Sequence, residues 1–240
     1  MQKQGAKVLI TLGTIPTLVA LTVTRGSELP IVYSGMVSPA AAGLDCHSEA
    51  ASRLTGTSME VPVAEQLQVF MLARPGLQRL GILFCTATPE AVATGRAVET
   101  AARDLGLRVI TATVTDERRE LLDKALTTLQ EEKVEALFLP TDPVLASPRN
   151  LEVICGRMLR ARLPVMVPFE SSVSYGALIS HHADFAEVGR QAGWILSGAA
   201  PRDVAPEIAK VKRLTLNLKV AQSLGLPLFR HLLSRAHDLY

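Results

Sequence analysis

The chain has 240 residues, a formal net charge of +2 at pH 7, and 48% apolar and 20% charged residues. This composition is that of a globular protein rather than a disordered one, and the small net charge gives no electrostatic case for nucleic-acid binding. No apolar run approaches the roughly 20 residues of a membrane span. The apolar stretch 8–13 is also too short for the core of a signal peptide, so we expect none in this chain.

The first part of the chain predicts only two strands. Residues 7–13 and 30–34 have the apolar character of buried strands, and residues 14–24 predict a helix between them. Residues 37–58 are rich in small and polar side chains without clear periodicity, and we interpret them as a loop with a short helix. A further helix is predicted at 62–72.

From Arg79 onward, strand and helix patterns alternate cleanly, which indicates parallel strands joined by right-handed crossovers. The predicted strands are 80–84, 108–114, 136–139, 165–168, 177–180 and 211–216. The predicted helices are 88–106, 116–132, 149–161, 184–198 and 218–224. The fold class is therefore α/β. Three regions follow: a partial N-terminal lobe at 1–76, a complete α/β lobe at 77–198, and a tail at 199–240 that returns towards the first lobe.

Polar residues follow several predicted strands, and the carboxyl ends of parallel strands border the crevice in which open α/β sheets bind ligands. Gly13 and Thr14 precede a helix, where backbone N–H groups favour a carboxylate or phosphate; a helix capped by Thr14 is the alternative. Asp142, after Thr141, either receives a ligand ammonium or caps the next helix. With Glu170 it could also form an acid–base pair, although no nucleophile motif accompanies them.

Aromatic residues make up only 4% of the chain. Tyr33, Phe84 and Phe169 are the rings placed at strand ends, and they would contact an aromatic ligand. Trp194 falls on the inward side of a predicted helix, and we interpret it as a core residue.

Cysteine and histidine spacing predicts no metal site and no cofactor. None of the three cysteines belongs to a CxxC pair. Cys85, at a strand end, is either a reactive thiol or a buried inert one, and we favour the second. His181 and His182 are successive strand residues that point to opposite faces, so we place them at the lip of the crevice with one ring solvated.

Nine segments occur in the order and spacing of one family. They are LGTIPT (12–17), PIVYSGMVSPAAAGL (30–44), LTGTS (54–58), PVAEQL (62–67), RLGILF (79–84), LFLPTD (137–142), PVMVPFESSVSYGAL (164–178), DFAEVGRQAG (184–193) and LTLNLKVAQSLGL (214–226). With them, the chain resembles the substrate-binding proteins of ABC transporters of the tryptophan/tyrosine type, which have a type I periplasmic-binding-protein fold.

The resemblance implies two Rossmann-like lobes with parallel sheets that close on a small amino-acid-like ligand in the cleft between them. A Gly-Thr helix start, here Gly13 and Thr14, would hold the ligand carboxylate. A Thr-Asp strand end, here Thr141 and Asp142, would hold the ammonium. The pocket would be completed by Ser34, Phe84, Cys85 and Glu170.

The resemblance also implies an ABC transporter permease as partner, a periplasmic or lipoprotein-anchored location, and no enzymatic activity. The family usually has asparagine where Cys85 and Pro143 stand and often aspartate at Ser38, so the ligand is left open. Its first lobe also begins with two strand–helix units that are missing here. The first lobe is therefore incomplete, and its exposed sheet edge invites a dimer. A ligand-sensing regulatory domain and, less well supported, an α/β enzyme using Asp142 and Glu170 are the alternative functions.

Overall fold

The computed structural model describes residues 5–36, 38–40, 42–44, 52–184, 187–227 and 230–240, except for the side chains of residues 187–189 and 231. The strands are β1 Leu9–Leu12, β2 Ile31–Met36, β3 Leu54–Ser58, β4 Arg79–Cys85, β5 Arg108–Val114, β6 Ala136–Phe138, β7 Val165–Val167, β8 Ile179–Ala183, β9 Glu207–Ile208, β10 Lys212–Leu216 and β11 Asp238–Leu239. The helices are α1 Thr14–Val23, α2 Val63–Ala73, α3 Pro89–Asp104, α4 Arg119–Glu131, α5 Pro148–Arg160, α6 Glu170–Val173, α7 Glu187–Leu196, α8 Leu218–Leu224 and α9 Arg230–Leu233, with a 3-10 turn at Pro201–Asp203. Within the described part of the chain, no helix combines the length and the apolar character that crossing a membrane requires.

The chain forms two compact units, each assembled from two segments. Unit 1 comprises Met1–Val61 and Ala183–Lys212, and unit 2 comprises Pro62–His182 and Arg213–Tyr240. These limits differ from the predicted regions 1–76, 77–198 and 199–240. Helix α2 belongs to unit 2 because Leu67 and Phe70 are buried in the core around β4, whereas α7 belongs to unit 1.

Unit 1 is a parallel sheet in the order β1-β2-β3-β9, with helices on both faces. On one face, Ala20 of α1 packs on a cluster of β2 and β3 side chains that includes Tyr33. On the other face, Ala192 and Ile195 of α7 pack on Val32. Trp194 does not join this core: it is 42% exposed, and its ring centroid lies 4.9 Å from the guanidinium carbon of Arg190.

Strand β3 corrects the expectation that residues 37–58 form a loop with a short helix. Its residues are buried although they are mostly polar or glycine. The Thr55 hydroxyl donates to the carbonyl of Val204 at 2.6 Å, and the Thr57 hydroxyl donates to Oε1 of Gln191 at 2.8 Å. Because these partners satisfy the hydroxyl groups, the strand can be buried without an apolar sequence pattern.

Unit 2 is a larger sheet in the order β11-β10-β8-β7-β6-β4-β5. The pairs from β4 to β8 are parallel, as is the pair β10–β11. Strand β10 runs antiparallel to β8, since hydrogen bonds join Asp184 to Val211 at one end and Asn217 to Leu178 at the other. The tail is thus divided: its first part, including β9 paired with β3, lies in unit 1, whereas β10, α8 and β11 belong to unit 2. The predicted α/β class with mainly parallel sheets is confirmed.

Cys155 of α5 lies in the core of unit 2 and gives a pH prediction. Burial raises the pKa of its thiol from 9.0 to about 12. Above pH 9 the unfolded chain loses this proton while the folded chain keeps it, so folding stability is present below pH 9 and is lost as pH rises towards 12. We expect denaturant unfolding at pH 8, 9.5 and 10.5 to show a loss of up to about 1.4 kcal/mol per pH unit from this group. Cys155→Ala should be less stable than the unmodified chain at pH 8, but its free energy of unfolding should fall less as pH rises. An equal dependence of the unfolding free energy on pH in both proteins would contradict the raised pKa of Cys155.

Candidate functional site

The predicted site residues of unit 1 lie where β1 and β2 end. Gly13, with φ 93°, follows β1, and its N–H donates to the carbonyl of Ser34 at 2.7 Å. Gly35, with φ 67°, lies so near that an added Cβ would be 3.2 Å from the nitrogen of Gly13. Both backbone conformations favour glycine. The two strand ends are therefore held against each other, with the buried Ser34 between them.

Helix α1 already begins at the proposed cap residue, Thr14. Its N-cap is Gly13, with no side-chain capping bond, and Thr14 is the first helical residue, so capping by Thr14 is wrong. Thr17 stabilises this turn instead: its hydroxyl donates to the carbonyl of Gly13 at 2.8 Å and lies 2.8 Å from the hydroxyl oxygen of Thr11. Contacts within unit 1 therefore hold the first turn of α1 in place.

Ser58, which sequence reasoning missed, ends β3 at the same edge of the sheet. It pairs in register with Met36 and is 4% exposed. Its hydroxyl has no hydrogen-bond partner among the described residues. A buried hydroxyl without a partner costs free energy, and such groups call for an explanation such as a bound ligand. The signal in the sequence was the polar end of the LTGTS segment.

Asp142 ties two strand ends of unit 2 together. It is fully buried, and it follows the half-buried Thr141. Oδ2 accepts the N–H of Cys85 at 2.5 Å, and Oδ1 accepts the N–H groups of Val144 and Leu145 at 2.8 and 3.2 Å. The cap of the next helix is wrong, because the N-cap of α5 is Ser147; the carboxylate instead closes the turn after β6 and anchors the end of β4, and its role towards an ammonium stays a prediction.

The thiol of Cys85 lies beside the start of α3. Burial raises its pKa, as do the negative charges of Asp142 and Asp116, while backbone N–H groups of Ala87 and Thr88 act in the opposite direction. A fully buried thiol with a raised pKa is a poor nucleophile. These observations favour the inert thiol over the reactive one.

The two phenylalanines of the predicted site differ in their surroundings. Phe84 is a core residue, since it is 6% exposed and a Cβ added to Gly95 of α3 would lie 2.5 Å from its ring. Its ring therefore packs against α3, and its contact with a ligand stays a prediction. Phe169 is half-buried and precedes α6, where its carbonyl accepts the N–H of Ser172 at 3.1 Å.

Glu170 is an accessible carboxylate at this edge of unit 2, with 43% of its side chain exposed. Its Oε2 lies 3.8 Å from Nε2 of His182, whose Nδ1 is 3.2 Å from the Ser180 hydroxyl. Tyr240 also hydrogen-bonds to Glu170; burial and then this negative charge raise the pKa of the tyrosine.

His181 and His182 are both buried, so the expectation that one ring is solvated at a lip is wrong. Within the described ranges, no three His, Cys, Asp or Glu side chains are grouped so that they could hold a metal ion.

Comparison with known proteins shows the family to which the chain belongs. The family model described as ABC transporter substrate binding protein matches residues 1–239. A tyrosine-binding protein of Clostridioides difficile (strain R20291) is 22% identical over 167 residues, which cover 69% of this chain and 47% of that protein. The chain thus matches about half the length of this curated relative.

Two solved structures share the fold. A conserved domain protein from Vibrio cholerae has a TM-score of 0.81 at 24% identity, covering 100% of this chain and 81% of the other. The ABC domain in complex with L-Trp from Streptococcus pneumonia has a TM-score of 0.81 at 20% identity, covering 98% and 81%. These similarities confirm the predicted fold. The family is one of substrate-binding proteins and not of enzymes, and the chain belongs to it: this is a member of the ABC transporter substrate binding protein family.

Proposed function

We propose that the chain is the solute receptor of an ABC uptake system and binds a small amino-acid-like molecule without converting it. The observation that carries the proposal is the buried hydroxyl of Ser58 at the carboxyl edge of the sheet in unit 1, which has no hydrogen-bond partner among the described residues. The relative that binds tyrosine and the fold neighbour in complex with L-Trp support an amino acid as the class of ligand.

The ligand carboxylate is assigned to unit 1. The first turn of α1 directs its positive dipole end and backbone N–H groups away from the helix, which favours an anion. Gly13 and Thr14 form this turn, and Ser34 fixes it through its carbonyl. Ser58 adds a hydroxyl donor at the same sheet edge, and a ligand oxygen would satisfy it.

The ligand ammonium is assigned to Glu170 of unit 2 rather than to Asp142. Both oxygens of Asp142 already accept backbone N–H groups, and no part of the residue is exposed. Glu170 is at the end of the next strand and has a partly exposed carboxylate. Thr141, Cys85 and Phe169 then line this edge, with Asp142 positioning the ends of β4 and β6.

Binding without catalysis follows from the same contacts. An acid–base pair of Asp142 and Glu170 needs two carboxylates that exchange protons with a substrate. Asp142 is enclosed by its backbone partners, and the raised pKa of Cys85 keeps that thiol protonated. The family is typically extracytoplasmic, and we extend that location and a permease partner to this chain.

The ammonium assignment is tested by calorimetry with ligand pairs. A thermal-shift screen of free amino acids first identifies a binder, since a ligand at 100 times its Kd adds about 2.7 kcal/mol of stability. Glu170→Gln is then expected to weaken binding of this amino acid at least tenfold, which corresponds to about 1.4 kcal/mol of binding free energy. The carboxylic acid that has the same side chain but lacks the amino group should bind to Glu170→Gln and to the unmodified chain with equal affinity, because it has no ammonium.

Glu152→Gln, which changes an exposed glutamate of α5, is the matched control and should leave affinity unchanged. Ser58→Ala tests the carboxylate assignment: it should weaken binding of the amino acid and of its deaminated analogue alike. Equal affinity of Glu170→Gln and the unmodified chain for the amino acid would contradict the ammonium site. No thermal shift with any amino acid or small carboxylate would contradict the proposed function itself.

A further inference from the structure

Strand β5 is the outermost strand at one side of the unit 2 sheet. In the part of the chain that the structure describes, it pairs with one neighbour, β4, in a single parallel register without a bulge. Its sequence, RVITATV, contains no lysine or proline, and five of its seven side chains are β-branched. Edge strands usually carry lysine, proline or a bulge that prevents further pairing. Strand β5 therefore keeps the features of a strand that is paired on both sides.

The backbone of β5 presents three residues to this open edge. The N–H of Arg108 donates to the carbonyl of Gln78, and the carbonyl of Val114 accepts the N–H of Thr86, both at 2.8 Å. Residues that bond to β4 alternate along the strand with residues whose N–H and C=O groups point away from β4. The residues that point away are Val109, Thr111 and Thr113.

The side chains at this edge are only partly covered. Val109 packs on the core beside α3 and Ile110 on the core beside α4, yet both remain half-buried. Thr111 and Thr113 are exposed, and the Thr111 hydroxyl donates to the carboxylate of Glu99 on α3. A further strand at this edge would cover the two apolar side chains and bring cross-strand partners to the threonines.

Opposite charges flank β5. Arg108 is its first residue and is exposed. Asp116 lies two residues beyond its end, and 41% of the aspartate side chain is exposed. Its Oδ1 accepts the N–H of Arg118 at 2.9 Å, and its Oδ2 lies 2.9 Å from the guanidinium of the same residue. These contacts lower the pKa of Asp116, so the carboxylate is ionised and held in place at neutral pH.

We infer that β5 pairs with β5 of a second copy of this chain, antiparallel and about a twofold axis at Thr111. Thr111 then faces the partner's Thr111, and Val109 faces the partner's Thr113, so all three outward-pointing residues form hydrogen-bonded pairs. Arg108 faces the partner's Val114 and lies diagonal to the partner's Asp116, within reach of a long side chain.

The charges favour a second copy as the occupant of this edge. Because Arg108 and Asp116 flank opposite ends of the strand, antiparallel pairing forms their ion pair twice, once on each side of the axis. An unrelated strand would gain the backbone hydrogen bonds without these matched charges. The resulting interface is isologous and joins two unit 2 sheets into one continuous sheet. It requires no ligand, so it stands apart from the proposed function, and it differs from the first-lobe edge for which the sequence predicts a dimer.

Sedimentation equilibrium between about 1 and 100 µM measures this association, and the chain is expected to form a dimer that dissociates on dilution. Arg108→Asp and Asp116→Arg should each raise the dissociation constant by about tenfold or more, because like charges then meet twice. The double variant carrying both changes restores opposite charges, and its dissociation constant should return to within about threefold of that of the unmodified chain. Arg149→Asp makes the same charge change at an exposed position of α5 and is the matched control, which should leave the dimer intact. Circular dichroism checks that each variant is folded.

The strand register is tested by disulfide formation in a Cys46→Ser background, in which Cys85 and Cys155 are both buried. Thr111→Cys should give a covalent dimer on mild oxidation, because facing Cα atoms of a hydrogen-bonded pair are about 5.5 Å apart. Thr113→Cys is also exposed but faces the partner's Val109, so it should form no such dimer. A monomer at every concentration would overturn the inference. A dimer with unchanged affinity in both single charge variants, or equal cross-linking of the two cysteine variants, would overturn it as well.

Discussion

Replacing Asp142 by alanine is expected to destabilise unit 2 by about 3–5 kcal/mol, because the substitution removes one acceptor for three buried backbone N–H groups. The N–H of Cys85 comes from a strand 57 residues away, and those of Val144 and Leu145 form the following turn. Guanidinium denaturation at pH 7 measures the effect. The reactivity of Cys85 and Cys155, which are both buried in unit 2, reports opening of this unit in a Cys46→Ser background.

Asp142→Asn separates the contributions of the two oxygens. The amide oxygen can still accept the N–H groups of the turn, whereas its NH₂ group faces the N–H of Cys85 and cannot accept it. We therefore expect a smaller loss than for alanine. An alanine variant as stable as the unmodified chain would contradict the structural role of Asp142. Weakened ligand binding without loss of stability would restore it as the ammonium partner.

Replacing Gly56 by alanine is expected to destabilise unit 1 by about 3 kcal/mol through overpacking. A Cβ at this position would lie 2.3 Å from the carbonyl oxygen of Tyr33 and 2.5 Å from its ring. Strand β3 is paired on both sides, with β2 and β9, so neither neighbour can withdraw without breaking the sheet. The fluorescence of Trp194, the single tryptophan, follows unfolding of unit 1.

Gly193→Ala is the control for this prediction. A Cβ there meets nothing within 4 Å, and the residue lies in α7 of the same unit. Alanine should be neutral or stabilise by up to about 1 kcal/mol, the difference in helix propensity. If the two variants had equal midpoints in denaturant, the close packing of Tyr33 on β3 would be refuted.

Elements whose signal is local were predicted well. The limits of β5 and α8 agree with the predicted 108–114 and 218–224, because apolar periodicity with clear breaks marks them. Strand β3 was missed since its burial depends on Thr55 and Thr57 finding partners about 130–150 residues further along the chain. No window of sequence around residues 54–58 contains that information.

The site followed the same rule. Strand ends could be located from the sequence. Whether their polar groups are already hydrogen-bonded within the protein could not be predicted. Asp142 and Glu170 look alike in sequence, since each follows an apolar strand. Only the fold shows that one carboxylate is enclosed by backbone N–H groups and the other remains partly exposed. Likewise, the core position of Phe84 depends on Gly95 leaving room on a helix of the same unit.

The division of each unit into two distant segments has a consequence for synthesis on the ribosome. Strand β9 completes the sheet of unit 1 by pairing with β3, yet residues 207–208 emerge about 150 residues after it. Unit 2 in turn waits for β10 and β11. Neither sheet is complete while the chain is still short, so the strand edges that β9 and β10 later cover stay open through most of translation. A nascent chain of this topology is a natural client for chaperones that shield unpaired strands.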